Sequence, residues 1–163
     1  MNGLHTLLPE RIRESLWLRL FGLAKIPLLF YVGVSIVELT PERMVVKIPL
    51  RRRNKNHLGS MYFGALCIGA DVAPGAYTMY LIRKQPARIA MVFKDFQAEF
   101  LKRAEGDVHF TCEQGKAISE LVAQAAASGE RVESQLDVIA TVPSLSDEPV
   151  ARFKLTISLK RQA

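Results

Sequence analysis

Between Met61 and Ile82 the chain is almost wholly uncharged, and Asp71 is the one ionisable acid or base there apart from Cys67 and the tyrosines. A carboxylate in apolar surroundings has chemical uses. Desolvation disfavours its charged form and raises its pKa, which makes it a better base while it stays ionised. It can activate water or attack an acyl carbon directly. Upstream, Asn56 carries an amide able to orient water or substrate. Structural uses compete with both readings. Asp71 could cap a helix broken before Pro74 or bond a backbone group, and Asn56 could be an ordinary turn residue.

Other reactive types are less well placed. His57 could donate to an acyl carbonyl, or be a plain surface residue of its loop. Ser60 lacks a nucleophile-elbow context. Cys67 and Cys112 sit in apolar contexts without metal-ligand spacing and read as buried thiols in a reducing compartment, so the expected location is cytoplasmic. His5 lies in a terminus expected to fray. No spacing suggests a metal site.

The elements that must position these residues follow from periodicity. Period-two runs mark strands at 43–50, 107–113, 131–142 and 150–160, each with one apolar and one polar face. A longer strand over 88–103 changes parity between Phe93 and Phe96, which predicts a bulge near Lys94 and Asp95. A first strand is expected from Val32 to Leu39, turning through Thr40, Pro41 and Glu42. Pro9 suits the first turn of a helix running to about Ala24. A second helix covers Met61 to Ile82, with Pro74 expected to kink or break it. A third runs from Lys116 to about Ala127, closed by Gly129. A helix apolar on all sides must be buried on all sides, and one sheet wrapped around it would achieve that. The fold class is α+β.

The chain has 163 residues, 49% hydrophobic and 23% charged, which suits one globular domain with a sizeable core. Residues 1–163 read as that domain, with 1–30 as a helical extension. The stretch Ile26–Val37 is too short to span a bilayer. Met61–Ile82 is long enough, but its glycines, Pro74 and Asp71 favour a core helix. The N-terminal helix, with Ile12, Leu16, Leu20 and Leu23 as its apolar set, reads as packed on the sheet edge or on a partner subunit, and its basic, amphipathic pattern also allows peripheral membrane contact. The net charge of +6 favours an anionic partner. Nucleic acid is not expected, because no recognition motif or interleaved aromatics accompany the charge.

The stretch NHLGSMYFGALCIGAD resembles the site motif of the phenylacetyl-CoA-type acyl-CoA thioesterases of the hotdog fold. That motif is Asn-x-x-Gly-x-x-His-Gly-Gly, with an acid nine residues after the His. Asn56, Gly59, Gly64 and Asp71 fall on its Asn, first Gly, last Gly and acid. Tyr62 replaces the His and Phe63 the middle Gly. The helices at the N-terminus and at 116–127 resemble an uncharacterised hotdog branch known only as a domain of unknown function. The resemblance implies a sheet wrapped around the central helix. It also implies an acyl-CoA or related acyl thioester substrate, with coenzyme A as part of the substrate and no separate cofactor, and sites shared within a homodimer or homotetramer. Asp71 would be the base or nucleophile and Asn56 its positioning partner. The backbone N–H of Phe63 would hold the thioester oxygen, with Tyr62, Gly64, Gly59 and His57 around it. Arg51, Arg52, Arg53 and Lys55 would attract the coenzyme A phosphates, or else form a solvated loop. The Tyr62 and Phe63 departures favour a non-catalytic acyl-binding protein. An enoyl-CoA hydratase-like enzyme would need His57 paired with an acid.

Overall fold

The computed structural model of the chain describes residues 9–162. The expectation for His5, and the start of the helical extension, lie outside them. Four α-helices and six strands follow in the order α1 (Glu10–Lys25), α2 (Pro27–Val32), β1 (Ser35–Leu39), β2 (Met44–Ile48), α3 (Phe63–Ile82), β3 (Ile89–Phe100), β4 (Val108–Cys112), α4 (Gly115–Ser128), β5 (Val132–Val142) and β6 (Ser146–Arg161). The strands form one antiparallel sheet in the order β1-β2-β4-β5-β6-β3. It curls around α3, the hotdog arrangement.

The buried phase of the strands is the one their alternation predicts. Val46, Ile48, Val108, Phe110, Leu136, Ala140, Phe153, Leu155 and Ile157 all point into the core. Pairing of β3 with β6 shifts between Phe93 and Asp95, where the sequence changes parity. The third helix, α4, ends at Gly129, whose φ of +70° makes it a left-handed stop.

Three expectations need correction. Val32 ends a helix rather than starting a strand, because Pro27 sits at the first turn of α2 and presets its φ. Pro74 does not break the central helix, since α3 runs on through it for 20 residues. Burial of Val72, Ala73, Pro74 and Ala76 against the sheet and α4 offsets the lost backbone bond. Cys67 is only half-buried, whereas Cys112 is fully so, and both are free thiols.

The two sheet edges are treated differently. Along β1, α1 lies close enough for the Ser15 hydroxyl to accept the Ile36 N–H at 2.9 Å and donate to its carbonyl at 3.3 Å. The Arg11 guanidinium donates to the Val37 carbonyl at 3.3 Å. That edge is closed. The other edge, β3, is largely exposed and carries Val92, Phe96 and Phe100 in solvent. A long apolar edge of this kind invites pairing with another chain.

Candidate active site

The loop before α3 is shaped by its own side chains. Asn56 Oδ1 accepts the Leu58 N–H at 2.9 Å, and Nδ2 lies 3.1 Å from the Ser60 hydroxyl. The Asn56 N–H donates to the Ser60 carbonyl at 2.8 Å. Gly59 completes the reversal at φ +83°, a conformation that a Cβ would strain. The Asn56 amide is thus engaged in an Asx turn. Asn54, which the sequence presents only as part of a basic run, is the buried anchor of this loop. Its Nδ2 donates to the backbone carbonyls of Val32 and Pro49 at 2.9 and 2.8 Å, and the Asn54 backbone carbonyl accepts the Tyr62 N–H at 2.8 Å. The direction of entry into α3 is fixed as a result.

At the first turn of α3 the N–H groups of Phe63 and Gly64 make no hydrogen bond to the protein among the described residues. Unsatisfied donors at a helix start favour an anion or a developing oxyanion. Tyr62 partly covers them. Its ring lies against Gly64, where a Cβ would stand 2.7 Å from Tyr62 Cε1. The Phe63 ring is 56% exposed, packs on Tyr62 at 4.8 Å and meets Phe100 of β3 edge-on at 6.2 Å.

A cleft of about 270 Å³ collects Asn56, His57, Tyr62 and Phe63 with Phe100, Lys102 and Arg103. Sequence reasoning missed the last two. Their signal was available as a cation pair just past an aromatic strand end. Lys102 is paired with Glu148, and Arg103 with Glu105 at 3.5 Å.

The basic run does not line this cleft. Arg51 and Arg53 line a second one of about 470 Å³, together with Arg19 and Lys47. Arg52 joins them on the adjoining surface beside Tyr31, and Lys55 is exposed.

Asp71 is absent from both clefts. It lies two turns further along α3, about 12 Å from Phe63 at 1.5 Å per residue. The carboxylate is half-buried beside Phe93 of β3. A Cβ placed on Gly75 would lie 3.8 Å from Asp71 Oδ1 and 3.6 Å from the Phe93 ring. Burial raises its pKa from the ordinary 3.8 to about 6. No hydrogen bond or ion pair holds it among the described residues. The two structural uses therefore fail: α3 is unbroken at Pro74, and the carboxylate bonds no backbone group among those residues.

The sequence pattern of a family described as a domain of unknown function, DUF4442, matches residues 17–159. The chain belongs to the DUF4442 family. No curated protein matches this DUF4442 chain. Among solved structures it is similar to a Pseudomonas aeruginosa protein of unknown function described as a probable thioesterase. The two share 26% identity over 95% of this chain and 97% of that one, with a TM-score of 0.72. A thioesterase from Haemophilus influenzae shares the fold at 14% identity, over 87% and 88% of the two chains, with a TM-score of 0.65. A Chlorobaculum tepidum protein of unknown function does so at 13% identity, over 93% and 97%, with a TM-score of 0.79. The DUF4442 chain therefore has the fold of thioesterase-like hotdog proteins.

Proposed function

We propose that this chain hydrolyses an acyl thioester, with the acyl group carried on coenzyme A and Asp71 as general base or nucleophile. The observation that supports this most is the unpartnered Asp71 carboxylate, whose raised pKa suits proton transfer near neutral pH. As a base, Asp71 takes a proton from water while the water oxygen bonds to the thioester carbon. The oxygen of the tetrahedral species rests on the free N–H groups of the α3 first turn. Its collapse breaks the C–S bond, and the thiolate leaves with a proton, giving a carboxylic acid and a thiol. Asn56 holds the loop that presents those donors, which makes it a positioning residue.

The donors and the carboxylate of one chain are too far apart to meet one carbonyl. A site shared by two subunits across the open β3 edge removes that difficulty. Light scattering at micromolar concentration is expected to give the mass of a homodimer or a dimer of dimers. A monomer would remove the shared site.

The Tyr62 ring against Gly64 favours a second reading, an acyl-CoA binder that does not hydrolyse. A panel of acyl-CoA esters, with thiol release as the readout and enoyl-CoA hydration as a control, separates them. Thiol release from at least one ester is expected. Binding without release would put the second reading ahead, and hydration alone would point to a hydratase.

In this reading the arginine run, which lies outside the cleft at the start of α3, attracts the phosphates of coenzyme A. Replacing Arg51, Arg52 and Arg53 by Ala is expected to weaken acyl-CoA binding by roughly tenfold at low salt, at about 0.5 kcal/mol per exposed ion pair. The loss should shrink at high salt, where screening already removes part of the attraction. Calorimetric titration giving unchanged affinity in both conditions would assign the run to solvation.

A further inference from the structure

We infer that the outward face of α1 is a docking surface for a lipid bilayer carrying anionic phosphodiester headgroups. The helix is amphipathic in the unexpected sense. Its core side carries buried Leu18 and Gly22, and Ser15 and Arg11 bond to β1. Its far side carries Ile12, Leu16, Leu20 and Leu23, which are 42%, 53%, 58% and 55% exposed. At 3.6 residues per turn these four fall within an arc of about 80°. In α2 the apolar surface continues through Leu28, Phe30 and Tyr31, all exposed. A soluble surface helix points its apolar stripe at the core, so a stripe pointing away needs another cover.

Charge selects the cover. Arg13 flanks one side of the stripe and Arg19 the other. Arg19 opens into the cleft of Arg51 and Arg53, whose one acid, Asp107, is paired with Lys47 at 3.3 Å, and Arg53 also stacks on Tyr31 at 5.5 Å. Neither the Arg19 nor the Arg51 guanidinium has a hydrogen bond or ion pair among the described residues. Both acids of α1 are engaged by groups of α3 and the turn after it: Glu14 pairs with Arg83 and is largely covered, and the still exposed Glu10 accepts from the Tyr80 hydroxyl at 2.6 Å and lies 3.7 Å from Lys84 Nζ. An apolar stripe between cations, with both acids of α1 held by Tyr80, Lys84 and Arg83, matches acyl chains below and phosphates at the rim. A second copy of the chain fits less well, because pairing two such faces would bring like charges together without acids to offset them.

The test is co-sedimentation of the full chain with vesicles of equal parts phosphatidylcholine and phosphatidylglycerol, and with pure phosphatidylcholine. Binding to the anionic vesicles is expected to be at least roughly tenfold tighter, and to weaken in high salt. Leu16→Glu with Leu20→Glu should reduce it by roughly tenfold or more at an unchanged thermal midpoint. Neither residue lines a cleft described above, so thiol release without vesicles should be unaffected, and vesicle binding can fail or succeed independently of hydrolysis. No sedimentation of the wild type, equal binding to both vesicle types, or full binding by the double variant would overturn the inference. So would the double variant lowering the oligomeric mass of a wild type that ignores vesicles, which would assign the stripe to a second copy.

Discussion

Asp71→Asn is expected to lower thioester turnover by roughly a hundredfold or more, the scale of general-base removal, and to raise stability at pH 8. The amide keeps the shape of the side chain and removes its charge. Stability moves in that direction because the folded chain holds the Asp71 proton more tightly than the unfolded chain does. As pH rises from about 4 to about 6, the folded state binds the extra proton, so stability falls through that window and the penalty is complete above it. A rise in pKa from 3.8 to about 6 corresponds to at most about 3 kcal/mol. An uncharged Asn escapes that penalty. Urea unfolding at pH 8 and at pH 4 measures it, and the gain from Asn should vanish at the lower pH. A structural carboxylate would give the reverse, a less stable variant with normal turnover per folded molecule.

Gly69→Ala is expected to destabilise the fold by about 3 kcal/mol or more, the upper end of overpacking costs. In an exposed helix the same change would stabilise by about 1 kcal/mol, because Ala is the better helix former. Here the sign is set by the sheet. A Cβ on Gly69 would lie 2.2 Å from Cε2 of Phe110 and 2.3 Å from its Cζ. Phe110 is fully buried and packs on Phe153 at 6.5 Å, so its ring has nowhere to turn. Either α3 or β4 would have to move. The urea midpoint of Gly69→Ala checks this, and a midpoint at or above the wild type would mean that α3 stands further from β4.

Gly69 also marks what a sequence reading reaches and what it does not. Alternation is a local property, so the faces of β4, β5 and β6 and the bulge after Phe93 were legible from residue types alone. The run of small and apolar residues around Gly69 announced a buried helix, but not the ring that fills the gap it leaves. Pro74 shows the same limit from the other side, since local propensity opposes a helix that tertiary burial sustains. Residue types alone start the first strand at Val32, where α2 ends, although Pro27 carries the helix-start signal for the segment before it.

At the site, a lone carboxylate among apolar residues was visible in sequence because charge is scarce there. Its separation from the motif loop was not, because the second half of the motif, from Phe63 to Asp71, is spread along a helix axis. The hydrogen bonds of Asn56 and the anchoring by buried Asn54 depend on folding back of the loop onto Val32 and Pro49. Lys102 and Arg103 reach the cleft only because β3 runs past the start of α3. The outward apolar stripe of α1 was legible as an amphipathic pattern, but which side faced the core needed the structure.

The role of Asp71 is tested most directly by the pH dependence of kcat/KM on an acyl-CoA that the wild type turns over, from about pH 4 to about pH 8. The rate is predicted to climb about tenfold per pH unit at the acid end and level off above about 6, as Asp71 loses its proton. Folded Asp71→Asn should lack that limb. A wild-type profile with no inflection near 6, or wild-type rates in folded Asp71→Asn, would contradict the assignment of Asp71 as the catalytic group.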